Sequence, residues 1–257
     1  MQRAWPALAV LLCGLARGQA PAYSAAGIVN AANYAPGPFA ANSVVSIFGT
    51  NLCNCSTGAS ATEIAGGTLP GSLNNVSVYV QNMLAPVLYV SSSQINFLIP
   101  TDQTPGTLPV RVVKQGVTGP EVAITLVPGA PALFALPSGY AIAQDWNAAN
   151  ALVTADAPAH PGDLVIVYAT GLGPAGYNPT GQVPTAAVWI DNRSSLTVFL
   201  DNVAVSAAQI LYAGLTPGFA GLYQINLLLP TNLGTDPEIR VAIGDQSSPA
   251  GLKLAVH

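Results

Sequence analysis

Short apolar runs alternate with turn-forming residues along most of this chain. In VSVYV (76–80) every second position is apolar, and tracts such as TPG (104–106) and PGD (161–163) separate such runs. A period of two is typical of half-buried strands. After residue 20, almost no segment keeps the 3.6-residue apolar period of a helix without an interrupting Pro or Gly. The pattern therefore predicts an all-β protein.

The apolar runs recur in the same order in the two halves of the chain. VSIFGTNL (45–52) matches VIVYATGL (165–172) at an offset of 120, LYV (88–90) matches LYA (211–213) at 123, and QIN (94–96) matches QIN (224–226) at 130. Ordered matches at a growing offset indicate a duplicated module. The step from 123 to 130 places a seven-residue insertion within AGLTPGFAGL (213–222).

We therefore predict two tandem immunoglobulin-like β-sandwich domains, each made of two stacked antiparallel sheets. Module 1 spans residues 21–130 and module 2 spans residues 131–257, with a proline-containing linker at 127–139. The repeated Gln-Ile-Asn is interpreted as the signature strand of the duplicated fold and not as an active-site motif. Gln94 and Gln224 are expected to begin equivalent strands at the sandwich edge, with Asn96 and Asn226 facing away from the core.

The first twenty residues have the layout of a secretory signal peptide. Arg3 precedes an apolar stretch, and small residues follow up to Ala20. The apolar stretch is too short to span a bilayer. Lipidation at Cys13 is an alternative, although Leu12 stands where bacterial processing requires a small side chain. We expect a secreted or envelope-associated protein whose mature chain has no transmembrane segment.

Charged residues are scarce, which narrows the possible partners. They make up 7% of the chain, and the net charge is −4. Nucleic acid is excluded as a partner, because its binding requires a basic surface to neutralise phosphates. Few charges also leave the sheet edges with little electrostatic protection, so edge-to-edge self-association is possible.

Candidate catalytic motifs fail on their context. GLGPAG (171–176) has the glycine spacing of a dinucleotide-binding loop, with Asp191 downstream, but Pro174, Pro179 and Pro184 prevent the helix that this loop requires. His160 lies in a turn-forming tract and no nucleophile motif accompanies it. We predict no catalytic residue, no cofactor and no enzyme activity.

Two further groups of residues carry open alternatives. For Cys53 and Cys55 three alternatives are open: a local disulfide, thiols that are free or pair between molecules, and a metal site. A structural zinc site usually takes four ligands, which two cysteines do not provide. The Asp and Asn residues of 144–163 have calcium-type oxygens in the wrong spacing and are better explained as turn caps. We predict no metal site.

The insertion in module 2 is the candidate partner-binding loop. It places Leu215, Phe219 and Leu222 in a loop, where polar residues are the norm, and we expect Tyr177 to lie nearby. The alternative is that these apolar residues pack against the linker or module 1.

The motifs VVSIFGTNL, SSQINFLIP and TPGTLPVRV resemble the immunoglobulin-like IPT/TIG module. Nearly all of residues 27–256 also resembles a tandem module, of unassigned function, that recurs at the C-terminus of exported acidobacterial proteins. We predict a non-catalytic binding or adhesion protein that contacts protein or surface polysaccharide. Alternatives are a structural subunit of an envelope-associated assembly and an enzyme of unknown type.

Overall fold

The computed structural model describes residues 18–64 and 66–257. The predictions that concern the leader, including cleavage after Ala20 and lipidation at Cys13, fall largely on residues 1–17 and lie outside this part of the chain. Within the described residues there is no helix long and apolar enough to cross a membrane.

In residues 22–64 and 66–126, module 1 contains ten strands. Their bounds are β1 Ala22–Asn30, β2 Val44–Thr50, β3 Ser56–Gly58, β4 Val76–Val80, β5 Met83–Ala85, β6 Val87–Ser91, β7 Gln94–Leu98, β8 Gly106–Lys114, β9 Val117–Thr118 and β10 Val122–Leu126.

Module 2 contains eleven strands and two single 3-10 turns, Arg193–Ser195 and Ala207–Gln209. The strand bounds are β11 Ala132–Leu133, β12 Ala143–Asp145, β13 Ala151–Leu152, β14 Leu164–Thr170, β15 Val188–Trp189, β16 Leu196–Leu200, β17 Val203–Ala204, β18 Ile210–Leu215, β19 Tyr223–Leu228, β20 Ile239–Ile243 and β21 Gln246–Ser247.

Each module is a sandwich of two antiparallel sheets. In module 1 the strand orders are β1-β2-β7-β6-β3 and β10-β8-β4-β5, with β9 added to β8. In module 2 they are β13-β12-β14-β19-β18-β15, with β11 added to β14, and β17-β16-β20-β21. The inward-facing side chains of both sheets form one buried apolar cluster per module. The predicted all-β fold of immunoglobulin-like β-sandwiches is confirmed.

The Gln-Ile-Asn strands are central strands, because β7 lies between β2 and β6 and β19 lies between β14 and β18. One detail of the predicted arrangement is wrong: the expected linker ends early, since Ala132 already pairs with Thr170 in β14 of module 2. The predicted alternation does hold: Ile95 and Phe97 are fully buried, and Asn96 is half-buried on the opposite face.

The two modules contact each other directly through glycine-rich loops of module 2. The backbone N–H of Ala130 donates to the carbonyl of Gly171 at 2.8 Å. A Cβ at Gly171 would lie 2.1 Å from the carbonyl oxygen of Ala130, and one at Gly173 would lie 2.5 Å from that of Pro128. Both glycines also have positive φ, so no other residue fits this close approach.

Candidate binding surfaces

The outer surface of the first sheet of module 1 carries an amide pair between aromatic rings. Gln94 Nε2 donates to Asn96 Oδ1 at 2.8 Å. In the flanking strands, Phe48 lies beside Gln94 and Tyr89 lies beside Asn96. We call the surface formed by these four residues amide face 1. It lies in the middle of a five-stranded sheet, so the backbone holds the four side chains in fixed positions.

Module 2 presents the same arrangement, which we call amide face 2. Gln224 Nε2 donates to Asn226 Oδ1 at 2.9 Å. Tyr168 lies beside Gln224, and Tyr212 lies beside Asn226. The rings therefore occupy the same places relative to the amides as in amide face 1.

Neighbouring residues extend both faces. Next to amide face 1, Tyr34 packs on Phe48 with ring centroids 6.0 Å apart. Next to amide face 2, Trp189 makes an edge contact of 4.8 Å with Tyr212. The guanidinium of Arg193 lies 4.8 Å above the Trp189 ring, which fixes the indole further.

Each amide pair leaves one donor and one acceptor for a ligand. Gln94 Nε2 and Asn96 Oδ1 are used in their mutual bond, and Ser46 Oγ donates to Asn96 Oδ1 at 2.9 Å. Among the described residues, no protein hydrogen bond uses Gln94 Oε1 or Asn96 Nδ2, nor their counterparts in Gln224 and Asn226. All four amide side chains are half-buried. They can donate to and accept from a hydroxyl-rich ligand.

The predicted partner-binding loop divides into exposed and buried members. Tyr177 is 94% exposed and Phe219 is 59% exposed, whereas Leu222 is half-buried. Leu215 is fully buried in the core of module 2 as the last residue of β18. This placement corrects the expectation that Leu215 lies in the loop: it pairs with Tyr223 in the ladder and offers no surface to a partner.

Tyr177 lies on a cleft between the two modules. Asn42, Thr101 and Asp102 line one side, and residues 174–179 line the other. Thr101 and Thr180 join the sides through a hydroxyl–hydroxyl bond of 2.8 Å. The Nδ2 atom of Asn178 is buried beside the cleft without a hydrogen-bond partner.

The remaining candidate residues lie in a disulfide and at turns. A disulfide joins Cys53 and Cys55, whose Cα atoms are 5.2 Å apart. His160 lies on an exposed turn with Nδ1 3.3 Å from the Asp163 carboxylate, and Asp145 accepts from the backbone N–H of Asn147 as a turn cap. In residues 18–64 and 66–257, no group of three or more His, Cys, Asp or Glu side chains is placed to hold a metal.

Sequence reasoning missed the amide faces because it assigned the Gln-Ile-Asn motif to architecture alone. The signal was present: Phe48 and Tyr168 share the offset of 120, and Tyr89 and Tyr212 share the offset of 123. Aromatic residues at matching outward positions beside repeated amides indicate a repeated surface as well as a repeated fold.

Comparison with protein families assigns the first of the two modules. Residues 28–126 match the IPT/TIG domain. The matched range begins within β1 and ends with β10, so it contains all of amide face 1. The resemblance inferred from the motifs of module 1 is confirmed for this range. No curated protein sequence matches the chain.

Solved structures that match the chain share little sequence with it. SGBP-B of the Bacteroides ovatus mixed-linkage glucan utilization locus, in complex with a mixed-linkage heptasaccharide, is 9% identical with a TM-score of 0.33, over 94% of this chain and 47% of that one. The chain thus spans about half the length of SGBP-B. The plexin A4 extracellular region is 13% identical with a TM-score of 0.29, over 100% and 20% of the two chains. Domains 5–6 of the S-layer protein SbsC are 11% identical with a TM-score of 0.26, over 92% and 98%.

Proposed function

We propose that this protein is an exported, non-catalytic binding protein that holds a neutral polysaccharide on its two amide faces. The observation that carries the proposal is the duplication of the Gln–Asn pair with its flanking rings. Both modules have an outward Gln–Asn pair at the same place in the central strand, with aromatic residues paired beside it.

The chemistry of the amide faces suits a sugar. Each free amide oxygen accepts from a hydroxyl and each free amide N–H donates to one, so a pair recognises the two roles of neighbouring sugar hydroxyls. The flanking rings of Phe48, Tyr89 and Tyr168 offer apolar surfaces on which the C–H side of a sugar ring packs. Charged side chains are absent from both sets of four residues, which favours a neutral ligand.

The test is binding to a panel of neutral soluble polysaccharides, measured by affinity electrophoresis and calorimetry. Replacing both amides of one face, as in Gln224→Ala with Asn226→Ala, should weaken binding about tenfold or more, because each removes hydrogen bonds to the ligand. The matched control is Asn232→Ala, which removes an exposed amide away from both faces. Undiminished binding by the variant lacking all four amides would refute the proposal.

The inserted loop 213–222 of module 2 is proposed as a further part of the binding surface, one that contacts a protein or a surface polysaccharide. Phe219, in this loop, and Tyr177 are exposed. If this loop adds to the binding site, Phe219→Ser and Tyr177→Ser should weaken binding further in the chain with intact amide faces.

A second candidate function, a structural subunit of an envelope-associated assembly, is supported by the low charge of the sheets. With charged residues at 7%, the sheet edges have little protection against pairing with another chain. Sedimentation velocity over a wide concentration range tests this function, and a strict monomer at high concentration contradicts it.

A further inference from the structure

Module 1 has an apolar corner that module 2 covers. We call the four residues Ala31, Val44, Leu88 and Leu98 corner 1. Val44 and Leu98 are paired across β2 and β7, and both are buried by a cluster that includes Ala220 and Val183 of module 2. Module 2 makes this contact mainly with the loop 216–221, which belongs to its inserted segment.

The contact between corner 1 and this loop is tight. A Cβ at Gly221 would lie 2.1 Å from Leu98 Cδ2 and 3.1 Å from Val44 Cγ2. Thr170 of module 2 reinforces the contact, since its hydroxyl accepts from the backbone N–H of Val44 at 3.0 Å and donates to the carbonyl of Gly221 at 3.2 Å. Leu98 is consequently fully buried although it faces outward from its own module.

Module 2 repeats this corner without a cover. Leu164 and Leu228 are paired across β14 and β19 as Val44 and Leu98 are across β2 and β7. The backbone N–H of Trp146 donates to the Leu164 carbonyl at 2.9 Å, as Ala31 donates to Val44 at 3.1 Å. Leu211 lies in the β18 bulge that corresponds to the β6 bulge at Leu88.

These four residues, Trp146, Leu164, Leu211 and Leu228, form corner 2. Trp146 is 57% exposed, Leu211 48% and Leu228 37%. A cluster of large apolar side chains at one place on a protein surface is typical of an interaction site.

A second copy of this chain does not fit corner 2. Module 2 docks on corner 1 through the end that carries the loop between β18 and β19. The equivalent end of module 1 has only a short turn between β6 and β7 and lacks the inserted loop. That end is also polar, since the buried Lys114 Nζ donates to Asn51 O at 3.2 Å and to Asn54 Oδ1 at 3.1 Å. The loop 216–221 of a second copy already covers that copy's own corner 1.

The path of the backbone next to corner 2 matches the path that leads from module 1 to module 2. Phe39 and Leu126 form a parallel bridge at the end of module 1, and Ala159 and Val256 form the same bridge in module 2. The N–H of Val127 donates to Phe39 at 2.8 Å, and the N–H of His257 donates to Ala159 at 3.0 Å. His257 therefore occupies the position of Val127, the first residue of the linker.

We infer that corner 2 is a docking site for a further β-sandwich module of the module 2 type, one that presents a Gly- and Pro-containing apolar loop like 216–221. The contact at corner 1 gives the geometry of this docking. Docking covers Trp146, Leu211 and Leu228 as module 2 covers corner 1.

The test extends the chain from residue 21 by appending a second copy of residues 127–257 after Val256. Trp189 and both tryptophans of the appended copy are changed to Phe, which leaves Trp146 as the reporter. We expect a several-fold loss of acrylamide quenching of Trp146 and a blue shift of its emission, relative to the unextended chain. A matched extended chain that keeps only the Trp189 of the appended copy should show the same quenching as Trp189 in the unextended chain, which verifies that the appended module is folded.

Two variants of the appended loop sharpen the result. Gly221→Asn in that copy should restore quenching, because the new side chain collides with Leu228. Gly218→Asn should not, because Gly218 also has positive φ but has open space around it. Unchanged Trp146 quenching in the extended chain overturns the inference. Self-association of the unextended chain that Leu228→Asp abolishes also overturns it, by making a second copy the occupant.

Discussion

Modules 1 and 2 share a scaffold but differ at the equivalent ends of their strands. Lys114 and Ile243 pair with Val76 and Leu196, which stand 120 positions apart in the repeat. The Lys114 amine is buried among the amide oxygens of Asn51 and Asn54. The Ile243 side chain instead packs on Gly129 of the linker, where a Cβ would lie 2.6 Å from Ile243 Cγ2.

The loops that follow β2 and β14 also differ, one making a polar contact and the other contacting the linker. Asn51 and Gly171 both have positive φ at the same place in the repeat. Asn51 Nδ2 donates a hydrogen bond of 2.9 Å to the carbonyl of Ala20, in the segment before β1. Gly171 has no side chain and leaves room for the carbonyl of Ala130. A duplicated fold thus acquires a polar end or a docking end by substitution of a few residues together with the inserted loop 216–221.

The largest expected effect comes from exchanging these end residues. Ile243→Lys buries an amine against the linker with no acceptor provided for it, so we expect unfolding free energy to fall by about 3–5 kcal/mol. The loss is measured by urea unfolding of the full chain.

The reciprocal change, Lys114→Ile, is the matched control. It leaves the Asn51 and Asn54 oxygens without their donor but buries no charge, so we expect a smaller loss of about 1–3 kcal/mol. Equal losses of unfolding free energy in the two variants would contradict the difference in polarity between the two ends that the hydrogen bonds of Lys114 indicate.

The next effect separates the contact between modules from the fold of each module. Gly221→Asn forces a side chain into the buried Leu98 at corner 1, and overpacking of this kind costs about 1–3 kcal/mol. Asn tolerates positive φ, so the clash dominates over backbone strain. The measurement is urea unfolding, together with limited proteolysis of the linker.

Gly218→Asn in the same loop is the control for strain. Gly218 has φ +86, and no atom lies within 4 Å of the position that its Cβ would take. We expect little change in stability and no new linker cleavage. If both variants expose the linker equally, the contact at corner 1 is not what holds the modules together.

The sequence predicted the strand repeat well because buried alternation and turn residues are local signals. Ile95, Phe97, Ile225 and Leu227 all proved to be core residues of central strands. Strand β1 was missed, because Ala22–Asn30 consists largely of small residues whose pairing with β2 supplies their order. Leu215 was misplaced because the inserted loop begins only after the ladder that this residue completes.

The docking of the modules was predicted only in part: packing of the inserted loop against module 1 was one of its two alternatives, and Ala220 does pack against Val44 and Leu98. The glycines of GLGPAG had the spacing of a dinucleotide-binding loop, and nothing in the local pattern indicated that the carbonyls of Ala130 and Pro128 occupy the space beside them. These partners lie about forty residues away in the chain, so only tertiary structure brings them together. The amide faces were missed although the sequence carried their signal, since the aromatic residues Phe48 and Tyr168 recur at the offset of 120 and Tyr89 and Tyr212 at the offset of 123.

The tyrosines at the junction and in module 1 predict a pH dependence. Burial raises the pKa of Tyr223, whose hydroxyl accepts from Asn42 Nδ2 at 3.1 Å across the junction. Burial also raises the pKa of Tyr23 in module 1 to about 12. An unfolded tyrosine ionises near pH 10, so above this pH unfolding releases a proton that the folded state retains.

The stabilising contribution of both groups is therefore complete below about pH 10 and declines as pH rises above it. For the fully buried Tyr223 the decline is about 1.4 kcal/mol per pH unit, and it is smaller for the partly exposed Tyr23. Urea unfolding of Tyr223→Phe and Tyr23→Phe between pH 9 and pH 11 checks this, with a flatter profile expected for each. A Tyr223→Phe profile parallel to that of the unmodified chain would contradict it.

The disulfide gives the smallest effect and tests whether module 1 needs a feature that module 2 lacks. Cys53 and Cys55 close a very short loop, so the bond removes little entropy from the unfolded chain, about 1.5 kcal/mol at most. Module 2 has Gly173 and Ala175 in the corresponding loop and folds with no bridge there. Replacing both cysteines by Ala should lower the unfolding free energy by no more than this amount, measured against the unmodified chain with and without reductant. A larger loss would show that the Cys53 side chain, which is buried in the core of module 1, stabilises through packing that the comparison with module 2 does not reveal.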